Sequence, residues 1–112
     1  MAPTSERTDL LQGTLDMLVL RTLSAQPMHG YGIAQHIQRL SDEVLTVEQG
    51  SLYPALQRLQ LKGWITSSWD ITPTGRRARY YKITRTGRKQ LEAKAADYDR
   101  VAAAIARVMD TA

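Results

Sequence analysis

Apolar residues recur at helical spacing in four stretches of this chain and alternate in two more. In the stretch Glu48–Trp64, EQGSLYPALQRLQLKGW, residues Leu52, Leu56 and Leu59 repeat at i, i+4, i+7, which is one stripe of an α-helix. At about 100° per residue, Gly50, Tyr53, Pro54 and Gln57 fall on the opposite side, flanked by Ser51 and Arg58. That outer face carries no acidic residue. Proline is tolerated in the first turn of a helix and costly further in, so Pro54 predicts a start close to Gly50–Ser51. Thr46 and Gln49 have the spacing of a capping box and would allow an earlier start. Lys62 and Gly63 supply a cationic last turn and a glycine stop. The product is a short helix with a smooth, polar, non-acidic outward face.

Before it, residues 1–8 are polar and read as a frayed arm. Asp9 with Gln12 forms an N-cap pair, predicting a helix over Leu10–Leu23 that stops before Pro27. Leu11, Leu15, Leu18 and Thr22 make one stripe, while Leu10, Met17, Leu20 and Leu23 lie elsewhere around it. A helix apolar nearly all round must be covered on more than one side, by a second subunit or by the last helix of the same chain. A second helix is predicted over Gly30–Leu40, with Ile33, Ile37, Leu40 and Val44 in register and Gln35, His36, Gln38 and Arg39 turned to water. Two short helices joined by a brief turn, the second with a polar outer face, have helix-turn-helix form.

After Gly63 the period changes. Trp64–Asp70 alternates, with Ile65, Ser67 and Trp69 on one side, and Arg79–Thr84 is rich in tyrosine and β-branched residues. Between them, Pro73-Thr74-Gly75 is turn chemistry, followed at once by Arg76, Arg77 and Arg79. A β-hairpin with an arginine-laden tip directly after the polar helix gives the winged-helix order. Thr84 then caps a last helix running through Met109. Its residues Leu91, Ala95, Tyr98, Ala102, Ile105 and Met109 form a heptad seam broadened by Val101 and Val108. The seam is rich in alanine, so it holds a dimer only together with the first helix, and the alternative is a helix folded back on its own domain. The organisation is mainly α with a small hairpin: arm 1–8, winged helix-turn-helix domain 9–84 and dimerisation helix 85–112.

The chain has 112 residues, enough for one domain, and a net charge of +4, mildly favourable for an anionic partner. It has no cysteine, which removes disulfides and thiolate metal sites and suits a reducing cytoplasm. No stretch has the length and apolarity of a membrane span, and the first residues lack a secretory hydrophobic region, so a cytoplasmic location is expected. Nothing suggests an enzyme, a metal or another cofactor. His29 and His36 have no third ligand at a metal spacing and read as structural or solvated, and no phosphate-cradling glycine loop is present. Double-stranded DNA fits better. Arginines fork onto phosphates, a glutamine such as Gln57 pairs with adenine, and glycine and serine at a helix start let backbone amides approach a phosphate. Tyr53 and one of the adjacent pair Tyr80–Tyr81 are expected at the DNA and the other in the core, because neighbours on a strand face opposite ways. A winged-helix adaptor that sets its basic hairpin on an acidic protein is the alternative. RNA fits less well, since the aromatics are not set out on an open sheet.

The blocks LLQGTLDMLVLRTL, MHGYGIAQHI, EQGSLYPALQRLQLKGWI and GRRARYYKITRTGRKQL resemble the PadR family of bacterial transcriptional regulators, in that family's order, from about Leu10 to Leu91. The resemblance implies a homodimeric repressor that binds a pseudo-palindromic operator and is released by a small molecule or stress. It places the recognition helix at Gly50–Lys62 and the wing at Trp64–Thr84. Tyr31, Ser51, Tyr53 and Pro54 match motif positions at or near DNA, and Gly75, Arg76 and Tyr81 match the wing's. With the periodicity, the expected DNA-contacting set is Tyr31, Gln49, Gly50, Ser51, Tyr53, Pro54, Gln57, Arg58, Gly75, Arg76, Arg77, Arg79 and Tyr81. The single C-terminal helix resembles the smaller subgroup, some of whose members hold flat aromatic compounds between subunits with a tryptophan on that helix. Tyr98 stands at that position here, a smaller ring with a hydroxyl, and Asp97 and Asp99 beside it would form an acidic rim. The expected interface and effector set is Leu11, Leu15, Leu18, Leu91, Tyr98, Ala102 and Ile105, around a small aromatic effector.

Overall fold

The computed structural model describes residues 12–111, so the arm, Asp9, Leu10 and Leu11 lie outside the described residues. The apolar stripes become helices α1 (Gln12–Ala25), α2 (Gly30–Leu40), α3 (Gln49–Leu61) and α4 (Arg85–Asp110). The alternating stretches become strands β2 (Ile65–Ile71) and β3 (Arg77–Ile83). A two-residue strand, β1 (Met28–His29), adds to β3, giving an antiparallel sheet of order β1-β3-β2. Its register sets Met28 opposite Tyr81, Ile65 opposite Ile83 and Trp69 opposite Arg79. No sequence period can reveal a strand of two residues, and β1 was not expected.

The core gathers Leu15, Val19, Leu20 and Leu23 of α1, Ile33 and Ile37 of α2, and Leu52, Ala55, Leu56 and Leu59 of α3. Ile65, Tyr81 and Ile83 close it from the sheet. Helix α1 is thus the central element, and most of its apolar circumference is covered within one chain. Leu15 is among the residues so covered, at 2% exposure, which corrects its assignment to a subunit interface.

Two joints fix α3 and the sheet against α4. The first ends α3 in a Schellman motif. Gly63 adopts φ 76°, its N–H donates to the Gln60 carbonyl, and the Trp64 N–H donates to that of Leu59, both at 3.0 Å. The second starts α4. The Thr84 N–H donates to the Trp64 carbonyl at 3.0 Å, and its hydroxyl donates to that of Gly63 at 2.7 Å while accepting from the Gly87 N–H at 3.0 Å. Gly87 sits so close that a Cβ there would lie 2.1 Å from the Trp64 carbonyl oxygen. Lys62 and Lys94 place their ammonium groups 4.6 and 5.4 Å from the centre of the Trp64 ring. The end of α3 and the beginning of α4 are one seam.

Candidate nucleic-acid interface

Helix α3 buries Leu52, Ala55, Leu56 and Leu59 and exposes Gln49, Gly50, Ser51, Tyr53, Pro54 and Gln57, as its periodicity predicts. Its start, at Gln49, lies within one residue of the expected Gly50–Ser51, but the capping differs. The N-cap is Glu48, whose side chain makes no capping bond, and Pro54 lies inside the helix rather than in its first turn. Nor does Thr46 cap an earlier start, since its hydroxyl is buried without a hydrogen-bond partner among the described residues. The Ser51 and Leu52 N–H groups donate to the Glu48 carbonyl at 3.0 and 2.9 Å. Among the described residues the N–H groups of Gln49 and Gly50 have no acceptor, and they stand at an exposed helix start where phosphate oxygens could accept from them.

Arg58 is a correction. Its guanidinium donates to the Asp16 carboxylate at 2.9 Å, and the two side chains are 30% and 5% exposed. It turns inward along α3 and ties the helix to α1 instead of joining the polar outer face. A guanidinium committed to a nearly buried carboxylate would lose that partner by reaching outward.

Around α3 the aromatics divide. Tyr31 is exposed at the start of α2, and its hydroxyl accepts from the Gln35 amide at 3.2 Å. The Tyr53 ring lies against the backbone of Gly30, where a Cβ would come within 3.0 Å of it. Tyr81 is in the core at 7% exposure, and Tyr80 is half-buried with its ring edge-on to His29 at 5.4 Å. Placing Tyr81 on the wing surface is therefore corrected. Burial pushes its phenol above the ordinary value of 10.0, with Arg79 pulling the other way and Tyr53 adding to the rise. His29 is structural: its Nδ1 accepts from the Gly32 N–H at 3.0 Å and caps α2.

The wing is the β2–β3 hairpin. Its tip closes by the Thr72 N–H donating to the Arg76 carbonyl at 2.7 Å and the Gly75 N–H to the Thr72 carbonyl at 2.8 Å, with Gly75 at φ 86°. Only Arg76 belongs to the tip. Arg77 and Arg79 sit in the ladder of β3, opposite Ile71 and Trp69, and all three arginines are exposed. Trp69, 53% exposed, carries both ladder arginines, with guanidinium carbons 4.7 and 5.2 Å from its ring centre. Alternation places Trp69 on the side of Ile65. The side is correct, but the hairpin runs past the core, and its last inward positions meet arginines instead of leucines. A cleft of about 360 Å³ separates wing from helices, lined by Tyr31 and Tyr53 on one side and Trp69, Ala78 and Arg79 on the other.

The residues expected at a subunit interface separate into two groups. Leu18 and Leu91 pack partly against the core of their own chain. Ala102 is half-buried, whereas Tyr98, Val101, Ile105, Val108 and Met109 are exposed along the second half of α4. Tyr98 lines a cleft of about 310 Å³ with Gly13, Thr14, Met17, Lys94, Asp97 and Val101. Asp97 is ion-paired with Arg100, which offsets part of the expected acidic rim. Among the described residues no group of three or more His, Cys, Asp or Glu could hold a metal ion, and no helix is long and apolar enough to cross a membrane.

Comparison with known proteins agrees with this architecture. The transcriptional regulator PadR-like family matches residues 19–93. A PadR family transcriptional regulator from Eggerthella lenta is 30% identical, covering 90% of this chain and 86% of that one, with a TM-score of 0.74. The PadR-like transcriptional regulator of Bacillus cereus is 25% identical over 91% of this chain and 97% of its own, at a TM-score of 0.78. A transcriptional regulator from Clostridium thermocellum is 28% identical, with 86% and 93% of the two chains covered and a TM-score of 0.78. A protein of Lysinibacillus sphaericus, itself uncharacterized, is 31% identical over 85 residues, 76% of this chain and 78% of that one. With a winged helix in place, a polar α3 face, an arginine wing and this match over most of its length, the chain belongs to the PadR-like family of transcriptional regulators, which are not enzymes.

Proposed function

We propose that this regulator is a homodimeric repressor that reads a pseudo-palindromic operator with α3 and grips the flanking backbone with its wing. Residues 9–84 form the DNA-binding unit and 85–112 the dimerisation helix. One observation carries the reading. Tyr53 of α3 and Arg79 of the wing line one cleft, so a duplex laid on the outer face of α3 lies beside the arginine strand. Gln57 is the base-reading side chain, with Gln49 and Ser51 beside it, and Pro54 and Tyr53 shape the approach. The orphan amides of Gln49 and Gly50, with Arg76, Arg77 and Arg79, hold phosphates, and Gly75 keeps the tip narrow. Tyr31 extends the same side. Tyr81 supports the interface from behind, and Arg58 through Asp16.

Dimerisation follows from the far half of α4. Tyr98, Val101, Ile105, Val108 and Met109 are an exposed apolar seam on a helix of 26 residues, about 39 Å long, whose Leu91 packs partly on the core of its own chain. A second α4 laid on that seam buries it and sets two α3 helices one operator half-site apart. The Tyr98 cleft then lies at the subunit boundary, where a small aromatic effector would bear on α4 and, through the Trp64–Thr84 seam, on α3.

Gel-shift titration of the full-length chain against genomic fragments at several salt concentrations tests the reading. Sequence-dependent retardation that weakens as salt rises is expected. Uniform failure to retard any duplex would favour the adaptor that docks on an acidic protein.

A further inference from the structure

Trp69 is out of place by the ordinary rules of burial. It is a large aromatic on a hairpin that has left the core, and more than half of it is exposed. Tryptophan is highly buried on average, so what its exposed ring touches is informative. Here its ring is the seat of two cations. Arg79 is its direct cross-strand neighbour and Arg77 the diagonal one, with guanidinium carbons 5.2 and 4.7 Å from the ring centre. Arg79 is held a second time, its Nε donating to Ser67 Oγ at 3.0 Å. That bond uses the ε nitrogen, and the terminal nitrogens are the donors with which a guanidinium forks onto a phosphate.

We infer that Trp69 is a positioning residue of the DNA grip, holding Arg77 and Arg79 in one preset orientation so that the wing engages the phosphate backbone with less side-chain ordering. This inference rests on the DNA-binding reading above and adds a division within it. The arginines supply the charge, and the tryptophan supplies the order. Arginine side chains are among the most expensive to immobilise, so a surface that fixes them before binding strengthens association without adding a contact. Stacking on the indole suits this purpose, because the guanidinium stays charged and its in-plane N–H groups stay available. Arg76, at the tip and outside this arrangement, is the internal control.

The positioning role has a signature that neither a DNA-contacting nor a merely structural tryptophan shares. Removing the seat leaves both charges in place. Trp69→Ala should therefore weaken binding to random and specific duplex alike by about fivefold, the cost of ordering two freed arginine side chains on binding. The slope of log affinity against log salt should stay unchanged, whereas Arg77→Ala should lower it by about 0.9. In an Arg77→Ala/Arg79→Ala background, Trp69→Ala should have no further effect, and Trp69→Tyr in the natural background should recover most of the loss. Fluorescence anisotropy of labelled duplexes at several salt concentrations reads all of these, with thermal unfolding of each variant as the folding control.

Full affinity in Trp69→Ala overturns the inference. So does an equal loss with and without the two arginines, since the indole would then touch DNA itself. A Trp69→Ala variant whose melting temperature drops along with its affinity, and whose loss Trp69→Tyr does not recover, assigns the residue to stability and overturns the inference too. A wild-type protein that binds no duplex at all is a separate result, because it removes the DNA reading and this inference with it.

Discussion

The guanidinium of Arg58 donates to the carboxylate of Asp16 at 2.9 Å, across 42 residues of chain. It is an ion pair that ties α3 to the central helix α1. The two partners are unequal: Asp16 is nearly enclosed, whereas Arg58 keeps a path to water. Arg58→Ala should cost about 3 kcal/mol, because a carboxylate is left buried and unpaired. Asp16→Ala should cost about 1 kcal/mol, because the arginine can turn outward. Urea unfolding of the two variants measures the order. The ratio of specific to random DNA affinity should change little in either.

This pair also shows where sequence reasoning stops. Angular projection put Arg58 at the border of the polar face, which is correct to within one side chain's reach. A long side chain at a border goes to the stronger partner, and the partner, Asp16, lies on another helix that no local pattern connects to it. Tyr80 and Tyr81 were similarly undecided, because alternation requires only that they differ. The pairing of Met28 with Tyr81 decides it, through a strand too short to leave a period. What the sequence did carry was the local chemistry. The Gly63 stop, the Thr84 cap and the α2 bounds all stand as expected, because each depends on residues within one turn of each other.

Two glycines should respond in opposite directions to the same change. At Gly87 an added Cβ meets the Trp64 carbonyl at 2.1 Å and Ile83 at 2.8 Å, so Gly87→Ala must displace α4 from the α3–β2 joint. A loss of at least about 3 kcal/mol is expected, with the secondary structure of both elements disturbed. At Gly50 an added Cβ meets nothing within 4 Å, and the residue is helical. Gly50→Ala should stabilise the protein by about 0.5 kcal/mol and still weaken DNA binding, because the methyl stands where a phosphate approaches the helix start. Thermal unfolding and anisotropy, measured on the same samples, separate the two effects.

The buried phenol of Tyr81 makes a prediction at alkaline pH. Burial raises its pKa above 10.0 in the folded protein, so the folded state holds its proton more tightly than the unfolded chain does. Stability from this group is complete below pH about 10 and is lost as pH rises through the raised value. Tyr81→Phe should flatten that part of the alkaline decline while leaving neutral-pH stability within about 1 kcal/mol. Urea midpoints from pH 8 upward provide the comparison.

At the far end of α4, Ile105 is 57% exposed and centred on the apolar seam. Ile105→Glu should leave the isolated fold intact and convert a dimer into monomers, seen by sedimentation equilibrium. Operator affinity should fall at least about tenfold, since each half-site must then be bound without its neighbour. Random-duplex affinity per subunit should change far less.

If α3 chooses the site and the wing supplies sequence-independent grip, substitutions in the two should fail in different ways. The most direct measurement compares Gln57→Ala with Arg76→Ala/Arg77→Ala on one operator and one random duplex across a salt series. Gln57→Ala should lower operator affinity by about 1–3 kcal/mol and leave random-duplex affinity and the salt slope nearly unchanged. The double arginine variant should lower both affinities together and reduce the slope by about 1.8. Random-duplex binding and a salt slope that survive loss of both arginines would contradict the account.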